Sequence, residues 1–295
     1  MTTTVFLTFL LMFSSLGATS DAVAGEYILK VMSYNIAGLP YKKPNGGRFT
    51  KMGKILKTRR DSSSAPDIVF IQEAFMSKTK RVQKQSKFTS RKNGPKRGFL
   101  DVFSSGLIGL TDLQITNSNL QTYKNCHSWD CQATKGILHI RVKIPGLDIP
   151  LDLITTHMQA NAGSNEQKVS AARALQVKTL ANFVNDNVGE RPYILAGDLN
   201  LKPNDSKKPS YDILVKDLEI TNAGEVCIAN PITCEIDTKT PVDELWTSTN
   251  DQHFYKQSPE LSITPIYAIR NMTERSEDKT LSDHKGFEVH YLIKW

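Results

Sequence analysis

The chain has 295 residues and a formal net charge of +7, from 37 Lys and Arg against 30 Asp and Glu. A chain of this length can bury a sizeable core. It has no internal repeat, low-complexity tract or long linker, which argues against repeat proteins and predicts a single domain over residues 25–295.

The first 24 residues have the pattern of a secretory signal peptide. Residues 5–16 form an apolar run too short to span a bilayer, and Ala22-Val23-Ala24 offers a small-residue cleavage site, although no Lys or Arg precedes the run. The alternative is a buried N-terminal helix or strand. Because no later segment is apolar for long enough to cross a membrane, we expect a secreted protein. Its mature chain would carry +8, since the negative charge of Asp21 leaves with the signal peptide.

Apolar runs and period-two alternation predict strands along the rest of the chain. They fall at residues 28–34, 67–71, 106–110, 119–123, 136–144, 151–156, 193–196, 242–248, 263–269 and 286–293. Helical spacing of apolar residues predicts helices around 49–56, 169–184 and 211–218, the second opened by a capping box of Ser164 and Gln167. Strands at both ends with helices between them predict α/β layers around two packed sheets.

One stretch of the chain is strongly basic. Residues 76–100 contain nine Lys or Arg and no Asp or Glu. Such a run is typical of a solvated helix face and loop. The alternative is a patch that binds an anionic phosphate surface, either lipid or nucleic acid.

The four cysteines suit an exported protein. Cys126 and Cys131 are five residues apart and Cys227 and Cys234 are seven apart, so two local disulfide loops are the simplest of the three pairings. A zinc site is the weaker alternative, because no two-residue Cys spacing occurs. Asn204 and Asn271 begin sequences that fit N-glycosylation sites.

Polar side chains follow the ends of several predicted strands. They are Asn35, Glu73, His157, Asp198 with Asn200, and Asp283 with His284, while Asp243 begins a further predicted strand. Each has an ordinary explanation when taken alone, such as an Asx turn after the strand at 193–196. Because α/β folds present catalytic groups at strand ends, we expect these side chains to meet at one site.

This set of side chains meets the needs of phosphodiester hydrolysis. Mg²⁺, or Mn²⁺ or another divalent ion in its place, takes oxygen ligands, which Glu73 and Asn35 can supply. A metal-bound phosphate is polarised towards attack, and a histidine oriented by a carboxylate can activate the water. Asn200 with a protonated His157 could stabilise the charge that develops on the phosphoryl oxygens.

These motifs, in this order, resemble the endonuclease/exonuclease/phosphatase superfamily of DNase I-like metal phosphodiesterases. The resemblance covers about residues 28–293 and rests on Tyr34-Asn35, Gln72-Glu73, Thr156-His157, Gly197-Asp198-Leu199-Asn200 and Ser282-Asp283-His284. It implies a four-layer α/β/β/α sandwich, with two mixed β-sheets flanked by helices and the site at one end.

Within that superfamily the chain resembles the secreted sphingomyelinases. Thr156-His157-Met158-Gln159-Ala160 is similar to their Thr-His-Leu-Gln-Ala. The segment 126–136, with Asp130 and Lys135, is similar to their Cys…Asp…Asn-Lys-Gly segment, and the helix with Arg173 and Gln176 has a counterpart there.

The resemblance implies roles at the metal and at the attacking water. Glu73, helped by Asn35, matches the metal ligands, and Asp283 matches a further carboxylate on the metal side. His284 matches the general base, and Asp243 matches the carboxylate that pairs with it.

The resemblance also implies roles around the phosphate. Asp198 and Asn200 match residues that orient the water and stabilise the transition state. His157 matches the leaving-group acid or a donor to the phosphate.

The chain departs from the family pattern at three places. The segment before the family's usual Asp-Tyr-Ile strand is Val242-Asp243-Glu244-Leu245 here. Lys285-Gly286 follows His284 where the family has an aromatic residue or Arg and then Pro. The exposed aromatic hairpin with which bacterial sphingomyelinases engage membranes is not found, and we expect His253-Phe254-Tyr255 in the corresponding region to pack in the core.

The leading hypothesis is a secreted, Mg²⁺-dependent sphingomyelinase that hydrolyses sphingomyelin to ceramide and phosphocholine at a phospholipid membrane surface. The alternative is a secreted DNase I-like nuclease acting on nucleic acid, and a third hypothesis is a non-catalytic binding effector of the same fold. No obligate protein partner is evident from the sequence.

Overall fold

The computed structural model describes residues 25–42, 45–161, 165–203, 209–276 and 279–295. The predicted signal peptide, Ser164 of the predicted capping box and the possible glycosylation site at Asn204 lie outside these residues.

The strands are, in chain order, β1 (Glu26–Asn35), β2 (Ile68–Gln72), β3 (Ser90–Asn93), β4 (Ile108–Thr111), β5 (Gln114–Thr122), β6 (Gly136–Lys143), β7 (Leu151–Thr156), β8 (Tyr193–Asp198), β9 (Thr221–Asn222), β10 (Glu235–Ile236), β11 (Asp251–Lys256), β12 (Ser262–Asn271), β13 (Arg275–Ser276), β14 (Lys279–Thr280) and β15 (Gly286–Lys294). The α-helices are α1 (Gly46–Asp61), α2 (Lys80–Ser86), α3 (Glu166–Asn187), α4 (Ser210–Leu218) and α5 (Ala223–Ala229).

Two mixed sheets form the centre of the fold. Among the described residues, one has seven strands in the order β10-β12-β15-β1-β2-β4-β3, and the other has six in the order β5-β6-β7-β8-β11-β9. β1 and β2 are parallel, as are β7 and β8. β15 runs antiparallel to β1, and β11 runs antiparallel to β8. Each sheet therefore has a parallel pair beside an antiparallel strand.

The two sheets pack face to face and carry helices on their outer faces. Val31 and Phe70 of the first sheet share a buried core with Leu153 of the second. Outside the first sheet, Phe49 of α1 packs in a cluster with the strand residue Met32. On the outside of the second sheet, α3 and α4 cover a separate apolar cluster. This arrangement is the predicted four-layer α/β/β/α sandwich of the DNase I-like fold.

The described start of α3 is capped by an asparagine. The Asn165 side chain accepts a hydrogen bond from the backbone N–H of Lys168 at 3.0 Å. This bond satisfies one of the N–H groups that the first helical turn leaves without a partner. The observed cap is therefore Asn165, one residue after the predicted Ser164.

The predicted strand at 242–248 is wrong. Residues Val242–Leu245 form a 3-10 turn, and the strand that was expected there is β11, which begins at Asp251. Asp243 stabilises the turn because its carboxylate accepts a hydrogen bond from the Ser248 hydroxyl at 2.8 Å. The backbone N–H of Ser248 also donates to the Asp243 carbonyl. Short polar side chains that bond locally in this way favour turns over strands.

The cysteines pair locally, as predicted. Cys126 is bonded to Cys131 and Cys227 to Cys234, with Cα–Cα distances of 5.2 and 4.8 Å.

The basic stretch 76–100 contains α2 and the short strand β3, and this confirms the predicted helix only in part. Among the described residues, no helix is both long and apolar enough to cross a bilayer.

Candidate active site

The two sheets bring their strand ends together at one end of the sandwich. The side chains that meet there come from both sheets: Asn35 at the end of β1, Glu73 after β2, His157 after β7, Asp198 at the end of β8, Asp251 at the start of β11 and His284 just before β15. Within each sheet, the carboxyl ends of the parallel pair and the amino end of the neighbouring antiparallel strand lie at the same edge. The hydrogen bond from Asn35 to Asp198 joins these edges of the two sheets. The predicted meeting of strand-end residues follows from this topology.

His284 is held by a buried carboxylate. Its Nδ1 lies 3.1 and 3.3 Å from the two carboxylate oxygens of Asp251, and its Nε2 lies 3.8 Å from Asp198 Oδ2. Arg270 binds Asp251 from the other side at 3.0 Å. Asp251 therefore fixes the ring so that Nε2 is directed towards Asp198.

The protonation of His284 reflects these neighbours. Burial opposes the charged imidazolium, but the hydrogen bond and charge of Asp251, together with the charges of Asp198 and Asp283, outweigh it and raise the pKa of His284 to about 10. The same contacts lower the pKa of Asp251, although burial opposes this. The pair is thus an imidazolium beside a carboxylate at neutral pH.

The predicted pairing of Asp243 with His284 is wrong, because Asp251 occupies that place. Asp243 lies on the 3-10 turn and bonds to Ser248, whereas Asp251 is 2% exposed and touches the His284 ring. Sequence reasoning missed Asp251, although one signal was present. It is a carboxylate two residues before the segment His253-Phe254-Tyr255, which the structure buries in the core as predicted.

Asp198 contacts side chains from both sheets. Its Oδ2 accepts a hydrogen bond from Asn35 Nδ2 at 2.9 Å and lies 3.6 Å from His157 Nε2. Its Oδ1 accepts from the backbone N–H of Asn200 at 3.2 Å. The carboxylate is 2% exposed, so these contacts hold it in one orientation at the base of the site.

Asn35 presents its nitrogen, not its oxygen, to the acidic residues. Nδ2 donates to Asp198 and, at 3.1 Å, to Glu73 Oε1, while Oδ1 accepts from the backbone N–H of Ala37 at 2.9 Å. An amide in this orientation cannot bind a cation through its oxygen unless it turns over and loses all three bonds. In this arrangement Asn35 positions the two carboxylates, and its role as a metal ligand stays a prediction.

The donor set nevertheless fits a hard divalent cation. Glu73 and Asp283 line the cleft beside Asp198, and carboxylate oxygens are the ligands that Mg²⁺ takes. Asp198, Asp251 and His284 also offer ligand atoms within 4.8 Å of one another, but the oxygens of Asp251 already bind Arg270 and His284. Glu73 has a left-handed backbone, with φ of 58°, a conformation that few non-glycine residues adopt.

The expectation of a protonated His157 is not met. Burial and the neighbouring Lys135 charge lower the pKa of His157 to about 3, although Asp198 opposes the shift. Lys135 Nζ lies 3.3 Å from His157 Nε2, and it also donates to Asp130 at 2.9 Å and to the Met158 carbonyl at 2.7 Å. His157 is therefore a neutral imidazole at pH 7, packed between an ammonium group and a carboxylate.

The segment after His157 is tied to the disulfide loop by the helix residues that the sequence singled out. The backbone N–H of Gln159 donates to Gln176 at 2.7 Å, and Arg173 donates to the Gln159 carbonyl at 3.0 Å. Gln176 also donates to the Asn125 carbonyl, beside the Cys126–Cys131 loop. Arg173 and Gln176 are thus supports for the site, not reacting groups.

A cleft of about 720 Å³ opens above these residues. Its polar floor contains Glu73, His157, Asp198, Asn200, Asp283 and His284, and its walls contain Leu39, Pro40, Tyr41, Phe75, Phe103 and Trp129. The structure thus brings every predicted site residue to one cleft except Asp243, with Asn35 just beneath it. A polar end with apolar walls suits a ligand that has a charged head and an apolar body.

Comparisons with known proteins agree with this fold. No protein-family model matches the chain. Over 194 residues, 64% of this chain, it is 26% identical to proteins named sphingomyelinase from Mycobacterium bovis and Mycobacterium tuberculosis. The match covers 36% of those proteins, so the chain spans about a third of the length of the curated relatives it matches.

Solved structures share the fold over nearly all of the chain. A beta toxin variant from Staphylococcus aureus with bound magnesium ions has a TM-score of 0.67 at 16% identity, covering 90% of this chain and 99% of that one. Sphingomyelinase C from Streptomyces griseocarneus has a TM-score of 0.64 at 16% identity, with the same coverage. D. rerio TDP2 complexed with a single-strand DNA product has a TM-score of 0.63 at 18% identity, covering 90% and 98%. The chain therefore has the fold of the endonuclease/exonuclease/phosphatase superfamily and resembles sphingomyelinases in sequence, as its motifs predicted.

Proposed function

We propose that the protein is a secreted, Mg²⁺-dependent phosphodiesterase that hydrolyses sphingomyelin to ceramide and phosphocholine. The observation that carries the proposal is the contact of Asp251 with Nδ1 of His284, which directs the other ring nitrogen, Nε2, towards Asp198 at the floor of the cleft. A carboxylate-oriented histidine beside further carboxylates is the arrangement that water activation requires.

In this proposal each residue has a role in the attack of water on phosphorus. His284 Nε2 accepts the proton of the attacking water, and Asp251 holds the ring and stabilises the imidazolium that results. Asp198 orients the water. The new P–O bond joins that oxygen to the phosphocholine phosphorus, and the bond to the ceramide oxygen breaks. Ceramide leaves as the alcohol after its oxygen takes a proton from solvent, to which His284 then returns the proton of the attacking water.

Glu73, with Asp283 on the same side of the cleft, would hold the divalent cation. When bound, the cation supplies positive charge that polarises the phosphate and favours a neutral, proton-accepting His284. Asn35 would keep the Glu73 and Asp198 carboxylates in place through its two hydrogen bonds.

The walls of the cleft support a choline-phosphate lipid as the substrate. Tyr41, Phe75, Phe103 and Trp129 offer aromatic surface beside the carboxylates, and aromatic faces attract quaternary ammonium groups. The sequence similarity to sphingomyelinases favours the same substrate class. The predicted signal peptide and the two disulfides support secretion.

Phosphocholine release from sphingomyelin, measured with Mg²⁺ and with EDTA, tests the proposal. Activity should require the divalent ion, and His284→Ala should lower kcat by about 10²–10⁴-fold, the usual contribution of a positioned general base. Asp243→Asn serves as the matched control, because it removes a nearby acidic charge that lies outside the cleft. The proposal is abandoned if no divalent ion supports phosphocholine release.

A nuclease is the second candidate, and two observations favour it. Residues 76–100 are strongly basic, and one solved structure of similar fold holds a DNA product. If the protein is a nuclease, it nicks plasmid DNA with a steep salt dependence, and His284→Ala abolishes the nicking. Hydrolysis of sphingomyelin without any cleavage of duplex or single-stranded DNA rejects this candidate.

A further inference from the structure

Three large apolar side chains are exposed on one short loop between β3 and β4. Phe99 is fully exposed, Leu100 is 90% exposed and Val102 is 53% exposed. We call residues 95–103 the rim loop. Single apolar residues on a surface are ordinary, but a run of them on one loop marks a contact surface.

The rim loop is anchored although its side chains extend into solvent. The backbone N–H groups of Val102 and Phe103 both donate to the Gln132 carbonyl at 2.8 Å. The N–H of Gly98 donates to the Thr134 hydroxyl, also at 2.8 Å. These bonds fix the loop at both ends, so burial of its apolar side chains by a partner would require little ordering of the backbone.

The rim loop also lies at the mouth of the catalytic cleft. Phe103, its last residue, lines the cleft, as do Gln132 and Ala133, to which the loop is bonded. Trp129 stands 72% exposed on the neighbouring disulfide loop and lines the same cleft. A partner bound to these apolar side chains would therefore face the opening of the cleft.

Basic residues precede the apolar side chains on the rim loop, and the one acidic residue of the loop, Asp101, accepts a hydrogen bond from the Thr134 hydroxyl. Lys96 and Arg97 precede Phe99, and both are exposed. With Lys80 and Arg91 they line a groove that shares the wall residue Phe75 with the cleft. The described residues give Lys96 and Arg97 no ion pair with an acidic side chain. This part of the surface thus combines positive charge with large apolar groups.

We propose that the rim loop docks the protein on a phospholipid membrane. Phe99 and Leu100 enter the boundary between headgroups and acyl chains, Trp129 lies at the same level, and Lys96 and Arg97 contact headgroup phosphates. A nucleic acid would account for the basic residues but not for an exposed Leu beside Phe. The choice of a phospholipid as the partner rests on the proposed function.

Vesicle binding by the full chain in EDTA tests the proposal, because EDTA separates binding from hydrolysis. The vesicles contain phosphatidylcholine and sphingomyelin, with or without phosphatidylserine. A double variant, Phe99→Ser with Leu100→Ser, should lower the partition coefficient by about tenfold or more, since two large apolar side chains lose their burial. Lys96→Gln with Arg97→Gln should weaken binding mainly to vesicles that contain phosphatidylserine.

Ile232→Ser is the matched control, because Ile232 is 98% exposed but lies on the other disulfide loop, Cys227–Cys234. It should bind vesicles as the wild type does. Equal binding by the Phe99/Leu100 variant and the wild type overturns the docking proposal, as does a wild type that binds DNA and no vesicle. Loss of vesicle binding by the Phe99/Leu100 variant supports the docking proposal. If the wild type releases no phosphocholine, that result refutes only the proposed reaction.

Discussion

At the scale of single residues, the site depends on which carboxylate touches His284. Asp251 bonds to the ring and is itself held by Arg270, so its charge is both buried and oriented. Asp243 is eight positions earlier in the chain, and among the described residues its carboxylate bonds locally, to Ser248. Both carry the same functional group, and only their positions in the fold distinguish them.

Asp251→Asn should therefore lower kcat by about 10²–10⁴-fold with little change in KM, because the histidine loses its orienting carboxylate. The pKa of His284, followed by NMR without added metal, should fall in the same variant, since the hydrogen bond and charge that raise it are removed. Asp243→Asn should leave both quantities close to the wild type. If Asp243→Asn lowered kcat and the pKa of His284 more than Asp251→Asn does, the predicted pairing of Asp243 with His284 would be correct after all.

At the scale of elements, the contact between β7 and β8 positions both His157 and Asp198. Gly197 lies where β8 passes closest to β7, and a Cβ atom there would lie 2.3 Å from the Thr156 carbonyl oxygen. The residue after each of the two contacting residues belongs to the site: His157 follows Thr156, and Asp198 follows Gly197. The glycine thus permits a strand spacing on which the site depends.

Gly197→Ala should push the two strands apart and reduce the free energy of unfolding by about 1–3 kcal/mol, the usual cost of overpacking. Activity in the folded fraction should also fall, because His157 and Asp198 move with their strands. Gly109→Ala is the control, since its Cβ would meet its nearest neighbour at an ordinary 3.4 Å. Denaturant unfolding and activity are both measured, and a fully active, equally stable Gly197→Ala would contradict this account.

At the scale of the whole molecule, buried ion pairs make stability depend on pH. Glu288 on β15 is buried and accepts hydrogen bonds from Arg59 of α1 at 2.7 and 2.9 Å. Burial raises its pKa, but bonds to His290 and Arg59 and their charges outweigh this and lower the pKa of Glu288 to about 2. The pair thus joins the outer helix to the centre of the first sheet.

The unfolded chain binds a proton at Glu288 more readily than the folded chain between pH 4.5 and about 2. The stabilisation from this carboxylate is therefore fully present above that range and is lost as the pH falls through it. It should amount to about 3 kcal/mol. Glu288→Gln should be less stable at pH 7 and lose less stability on acidification. Urea unfolding across this pH range measures the difference, and parallel curves for both proteins would contradict it.

Sequence patterns were sufficient to predict the fold, most of the site residues and the disulfides. Strand ends marked by Glu73, His157, Asp198 and His284 are local patterns, and their order along the chain indicated the sandwich and its superfamily. Local disulfides were predictable because short loops between cysteines close at little entropic cost.

Which groups act together depends on how the two sheets pack. The Asp251–His284 contact joins strands from two sheets, so no local spacing encodes it. Burial beside Lys135 makes His157 neutral, and the bond from Ala37 turns the Asn35 amide so that its nitrogen faces the carboxylates. Charge state and side-chain orientation depend on neighbours that are distant in sequence, and folding alone brings those neighbours together.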